Sequence, residues 1–214
     1  MIIKPESFVN LKRVVTDSDY AESNYLIVRK MKELFIIKYD KSKITLENQY
    51  SLGLFRSIIC DASGKIISFA PPKSIDFDCF SQTTQYDECY FQEFVEGTMI
   101  NMFWDPTEND WNIATRSNIG ARCKFNMDKQ ETFRYMFLDA CNHVGFEFNN
   151  LEKQYCYSLV LQHPKNRIVV PIINPDIFMV KKYLCHDDNT VEEINFSDKD
   201  REDFNIIRTI KPIG

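Results

Sequence analysis

Tyr90-Phe91-Gln92-Glu93-Phe94-Val95-Glu96-Gly97-Thr98-Met99-Ile100-Asn101-Met102-Phe103-Trp104 decides the fold, together with the turn Asp105-Pro106-Thr107-Glu108-Asn109-Asp110 and the run Trp111-Asn112-Ile113-Ala114-Thr115 that follow it. Aromatic and apolar residues fill both arms, a composition that suits a pleated, half-buried surface. Glu96-Gly97 breaks the run, and glycine adopts positive φ at no steric cost. Tyr90 to Val95 and Thr98 to Trp104 are therefore expected to pair as a hairpin that pivots at Glu96-Gly97. Asp105 to Asp110 holds the Asp, Pro and Asn residues of an outer turn, and Trp111 to Thr115 is the returning strand.

Upstream, Tyr25 to Val28 and Leu34 to Tyr39 are short β-rich runs. Leu54 to Cys60 and Ile66 to Phe69 are two more, joined through Asp61-Ala62-Ser63-Gly64-Lys65 as a tight hairpin. Pro71-Pro72 ends that unit. Downstream, Phe133, Met136, Phe137, Ala140, Cys141 and Val144 recur at intervals of three and four, which predicts an amphipathic helix over 129–145 stopped by Gly145. Tyr155 to Gln162, Arg167 to Ile173 and Ile177 to Tyr183 then read as strands. The expected fold class is α+β, an antiparallel β-sheet core with one or two covering helices. Residues 1–184 form one domain in this reading, and 185–214 form an acidic segment packed on it or extending from it.

The 214 residues suffice for a substantial core. No stretch approaches the 18 or so apolar residues of a membrane span, and Met1-Ile2-Ile3-Lys4-Pro5 has no secretory pattern, so a cytoplasmic, membrane-free protein is expected. The 7 cysteines are an odd number without a Cys-x-x-Cys pair, which argues against a disulfide framework and a zinc site. Neither metal nor cofactor is expected. Net charge is -5. Eight acids against four bases fall in 184–214, so the remainder is close to neutral and the bulk charge does not advertise nucleic-acid binding.

Several segments, in order, resemble the N-terminal nucleotidyltransferase domain of phage and viral RNA ligases, and are also similar to mRNA capping guanylyltransferases. They are Phe55-Arg56-Ser57-Ile58-Ile59, Pro72-Lys73-Ser74-Ile75-Asp76-Phe77, the Phe94-Val95-Glu96-Gly97 frame, Trp111 to Ser117, and Tyr157-Ser158-Leu159 with Pro164 to Val170. In that family a Lys-x-Asp-Gly turn supplies the lysine that attacks the α-phosphate of ATP or GTP. Here Phe94 stands in the lysine's place and has no lone pair to give. Ser158 replaces the glutamate that contacts the ribose, and the later metal-binding glutamate and terminal Lys-x-Lys strand have no counterpart.

What the resemblance implies is a nucleotidyltransferase pocket kept for binding without reacting. The expected ligand is a nucleotide or an RNA 5′ end, including the mRNA cap. Arg56 and Lys73 would meet phosphate, Arg116 would be a pocket residue or else a strand-end arginine in a salt bridge, and Phe94 and Trp111, with Phe103 and Trp104, would stack on a base. Glu96 or Glu93 would take hydrogen bonds from a guanine edge. The bland alternatives are strand and loop cations in solvent, core aromatics, and a hairpin corner at Glu96-Gly97. Two other functions remain open: an active ligase or guanylyltransferase using a displaced lysine, with Lys38 the nearest imitation, and a structural subunit of a viral assembly. The acidic residues 187–203 are expected to be solvated surface or a docking segment for a protein partner.

Overall fold

A computed structural model describes residues 1–85, 87, 89–124, 131–166 and 168–210. In chain order these form β1 (Ile2–Ile3), α1 (Leu11–Thr16), α2 (Ser18–Ser23), β2 (Leu26–Met31), β3 (Leu34–Tyr39) and α3 (Gln49–Leu52). There follow β4 (Ile58–Cys60), β5 (Ile66–Phe69), α4 (Phe77–Thr83), β6 (Phe91–Gln92), β7 (Thr98–Asp105), β8 (Asp110–Thr115) and β9 (Asn118–Ile119). The remainder is α5 (Phe133–Val144), β10 (Tyr155–Gln162), β11 (Asp176–Cys185), β12 (Val191–Ile194), α6 (Asp198–Asp203) and β13 (Thr209–Ile210). The protein is α+β, with two antiparallel sheets and few helices. One sheet has seven strands in the order β1-β12-β11-β10-β7-β8-β9, the other four in the order β2-β3-β4-β5.

Alternation along β7 shows how the layers assemble. Ile100 and Met102 point to one side, where they pack with Phe133, Met136, Phe137 and Ala140 of α5. Phe103 points to the other, into the core that includes Ile36 and Ile59, which share one face of the smaller sheet. β10 repeats the division, with Tyr157, Leu159 and Leu161 toward α5 and Cys156 toward the small sheet. A strand covered on both faces carries apolar residues at nearly every position, which is why Thr98 to Trp104 lacks a polar alternation. Across the inter-sheet core, Phe69 meets Tyr183 edge to face at 5.3 Å.

Local expectations hold where short-range chemistry decides. The Asp61 carboxylate accepts from Ser63 N, Ser63 Oγ and Lys65 N, and so shapes the β4–β5 turn. α5 begins at Thr132, whose hydroxyl accepts from Tyr135 N, and ends at Gly145 with φ 67°. Residues 129 and 130, included in the expected helix, lie outside the described residues.

Three strand expectations are corrected. Only Ile58–Cys60 of the run from Leu54 is a strand, because α3 and its closing turn reach Phe55. Residues 168–173 form no strand, and Arg167 lies outside the described residues. The hairpin at Glu96-Gly97 does not exist: β7 pairs with β8 and β10, whereas β6 pairs with β13 from the far end of the chain. Gly97 serves close approach instead. A Cβ there would fall 2.5 Å from Leu161 O and 2.6 Å from Val160 Cγ1, so the chain enters β7 in close contact with β10.

The acidic C-terminal region is built into the fold. β12 lies between β1 and β11, and several of its acids are spent internally. Asp187 pairs with Lys65, Glu193 with Lys181, and Glu192 with His186. Asp200 reaches the buried Lys182 ammonium with both oxygens at 3.2 Å, and Lys182 stacks over the Tyr155 ring at 4.2 Å. Burial pushes the Asp200 carboxyl up, but hydrogen bonds from Ser197 and the contact with Lys182 outweigh it and hold it below the usual carboxylate range. The same carboxylate closes a capping box with Ser197 at the start of α6.

Asp200→Ala leaves the buried Lys182 ammonium with only the half-exposed Glu152 carboxylate at 3.4 Å, and also removes the Ser197 capping box, and is expected to cost about 3 kcal/mol. The double variant Lys182→Met/Asp200→Ala removes the poorly compensated charge and recovers part of the loss in urea denaturation, the cap at Ser197 being absent from both. Equal losses in the single and double variants would refute the pairing argument. Because the folded carboxyl is depressed, its contribution is complete above its ordinary value of 3.8 and fades as pH falls below it.

Candidate anion-binding site between the two sheets

The edge of the seven-stranded sheet meets the β2–β3 hairpin along a seam, and cations collect there. In β2 and β3, Arg29 lies opposite Ile36 and Ile27 opposite Lys38. Arg29 and Lys38 therefore share one face. The Arg116-Ser117 turn between β8 and β9 lies against it. Lys38 Nζ donates to Ser117 Oγ at 2.8 Å. Arg116 Nη2 donates to Tyr39 O at 3.3 Å, and the guanidinium sits 4.5 Å from the Tyr39 ring centroid. Tyr39 N in turn donates to Phe55 O, which brings the next residue, Arg56, alongside.

Burial first, and then like-charge neighbours, set the electrostatics. Burial pulls the Lys38 ammonium below its ordinary value, and the charges of Arg29, Arg116 and Lys41 pull it further. Burial also lowers Arg116; Tyr39 opposes this and Arg56 adds to it. No carboxylate contributes to either shift. Among the described residues none of Arg29, Lys38, Lys41, Arg56 and Arg116 makes an ion pair. Asp40, adjacent in sequence, spends its carboxylate on Ser42 N and Oγ. Arg116 Nε is buried and has no hydrogen-bond partner. A buried charged donor without an acceptor is costly, and an anion held among these cations would supply one.

The structure brings Arg56 and Arg116 together and leaves the other expected site residues apart. Lys73 Nζ donates to Ser74 O, and Lys73 lines a different cavity beside Gln49. Phe94 is 92% exposed. Phe103 is core, and Trp104 and Trp111 meet edge to face at 5.6 Å. Trp111 lines a separate cavity at the other end of the seam. The Glu96 carboxylate accepts from Val169 N at 2.7 Å and Val170 N at 3.0 Å, and its main-chain oxygen accepts from Gln162 Nε2. Glu96 thus anchors the backbone of 169–170. Ser158 is fully buried and donates to Asn101 Oδ1 at 3.0 Å.

Sequence reasoning named Lys38 only as a displaced lysine and missed that it gathers with Arg29 and Lys41 beside Arg116. The period of two places Arg29 and Lys38 on one face once the hairpin register is known, but nothing local says that the Arg116 turn packs against it. In comparisons with known proteins, no protein-family model matches the chain and no curated protein matches it significantly.

Two outcomes test this geometry. Glu96→Ala removes the acceptor of two backbone amides, and hydrogen exchange at Val169 and Val170 is expected to accelerate by roughly tenfold or more, since such bonds are worth about 1–3 kcal/mol. Unchanged exchange would contradict the anchoring role. Lys38, being depressed, should lose its proton at a lower pH than an ordinary lysine, as read from the NMR shift of its reductively methylated amine. Inorganic pyrophosphate should shift that titration upward, because a bound anion favours the charged amine.

Proposed function

We propose that the protein is a non-catalytic binding module for the phosphates of a nucleotide or an RNA 5′ end, held at Lys38, Arg56 and Arg116. The observation that carries this reading is the buried, unpartnered Nε of Arg116 within a group of cations that have no carboxylate among them. Guanidinium groups suit phosphate because their planar fork donates in parallel to two oxygens. In this reading the two-sheet core is that of an RNA ligase-like nucleotidyltransferase whose nucleophile has been lost. Phe94, in the lysine's place, is an exposed hydrocarbon side chain. The anchored Glu96 and the buried Ser158–Asn101 pair agree with a motif region that now serves structure.

A second reading draws on Lys38 itself. A half-buried amine depressed by neighbouring cations keeps a larger neutral fraction and is the better nucleophile. Its attack on the α-phosphorus of ATP or GTP, with pyrophosphate leaving, would give a covalent nucleotidyl-lysine.

Titration with pyrophosphate, ATP, GTP, cap analogue and 5′-phosphorylated RNA tests the first reading. Arg116→Ala and Arg56→Ala are expected to weaken binding by about tenfold or more each, since hydrogen bonds to charged groups contribute roughly 1.5–3 kcal/mol. Absence of binding to all of these at high micromolar concentration would overturn it. Incubation with α-labelled ATP or GTP and magnesium separates the two readings: the binding module leaves no label on the denatured chain, whereas a band lost in Lys38→Met establishes the second.

A further inference from the structure

We propose that the seam takes a single-stranded oligonucleotide, with one base in a second cavity and the phosphates tracking from there to the cation cluster. This rests on the phosphate-binding reading and extends it from one phosphate group to a chain. The cavity holds about 510 Å³, a size usual for small-molecule sites. It lies where the β2–β3 turn, the β7–β8 turn and the first turn of α5 converge. Met31, Leu34 and Ile119 make its apolar lining, and Trp111 adds an aromatic wall.

Its charges are unevenly committed. The Asp105 carboxylate accepts from Thr107 N, Thr107 Oγ1 and Asn112 Nδ2. Glu108 pairs with Lys32, and Asp110 accepts from Trp111 N. Arg122 and Arg134 line the same cavity, and neither guanidinium has a hydrogen bond or ion pair with another described residue. Three carboxylates and three cations line the recess, and the two guanidiniums without a partner among the described residues are the groups left to meet a phosphate carried by a base against Trp111.

The seam joins this recess to the cluster. Ile119 N donates to Met31 Sδ at 3.2 Å near the cavity, and Lys38 bonds Ser117 near the cluster. Leu34 and Lys38 are four residues apart on β3, roughly 13 Å at the usual strand rise, too far for one phosphate group to touch both ends. Arg29, opposite Ile36, stands midway. Cations therefore recur along the seam, as phosphates recur along a strand. Cationic grooves with aromatic side chains are the usual means of holding single strands. A base must leave a duplex before it can enter a recess, so the single strand is the form that fits.

Fluorescence anisotropy with labelled octauridylate, beside calorimetry with UMP and pyrophosphate, tests the inference. The wild-type chain should bind the octamer more tightly than UMP. Arg122→Ser/Arg134→Ser should weaken the octamer about tenfold and flatten the salt dependence by roughly one unit of slope, with pyrophosphate binding unchanged. An octamer that binds no more tightly than UMP, one indifferent to the double substitution, or an RNA duplex that binds equally well overturns the inference. If pyrophosphate still binds and Arg116→Ala weakens it, the phosphate reading stands alone. Loss of pyrophosphate and octamer binding together by the wild-type chain sinks both.

Discussion

Burial of the seven-stranded sheet on both faces is the constraint from which the rest of the molecule follows. α5 covers one side through Phe133, Met136, Phe137 and Ala140, and the four-stranded sheet covers the other, with Ile36 and Ile59 on one of its faces and Phe69 against Tyr183. β7 and β10 must therefore be apolar toward both layers, and the chain that enters β7 comes close to β10 at Gly97. Once the faces are closed, the exposed edge at β8 and β9 is what remains to meet the β2–β3 hairpin. The cationic seam is a consequence of that packing.

Three polar arrangements inside the fold meet the cost of burial differently. Ser158 and Asn101 satisfy each other between the sheets. Lys182 and Asp200 form a paired charge under α6, with the aromatic faces of Tyr155 and Tyr157 completing the enclosure. Arg116 has an aromatic face and one main-chain oxygen, but its Nε has nothing. Like charges roughly 6 Å apart repel by about 3 kcal/mol at an effective dielectric near 20. A group of cations without a carboxylate thus works against stability, and an anionic ligand would relieve it. The lysine–aspartate pair is self-sufficient, which is why it reads as structure and the seam reads as a site.

Legibility in the sequence followed the range of the interactions. The Asp61 turn, the Thr132 cap and the Gly145 stop depend on residues within a few positions, and each was readable. The partner of β6 was not, because Thr209 and Ile210 of β13 come from the far end of the chain to meet Gln92 and Phe91, and no local pattern distinguishes β13 from β7. Arg56 and Arg116 were identifiable through the resemblance to RNA ligases. Lys73, Phe94 and Trp111 were singled out in the same way, and the fold sends them to other surfaces. Glu96 is held by amides more than seventy positions away, a role invisible in its own motif.

The sequence by itself determined the α+β class, most of the short strands and the amphipathic helix, because hydrophobic periodicity is a local property. Tertiary structure alone decided that Arg29, Lys38, Arg56 and Arg116 converge without an acid among them, and that Asp187, Glu193 and Asp200 are spent on Lys65, Lys181 and Lys182. Charge pairing depends on distance in space, and two sheets packed face to face bring together residues that the chain keeps far apart.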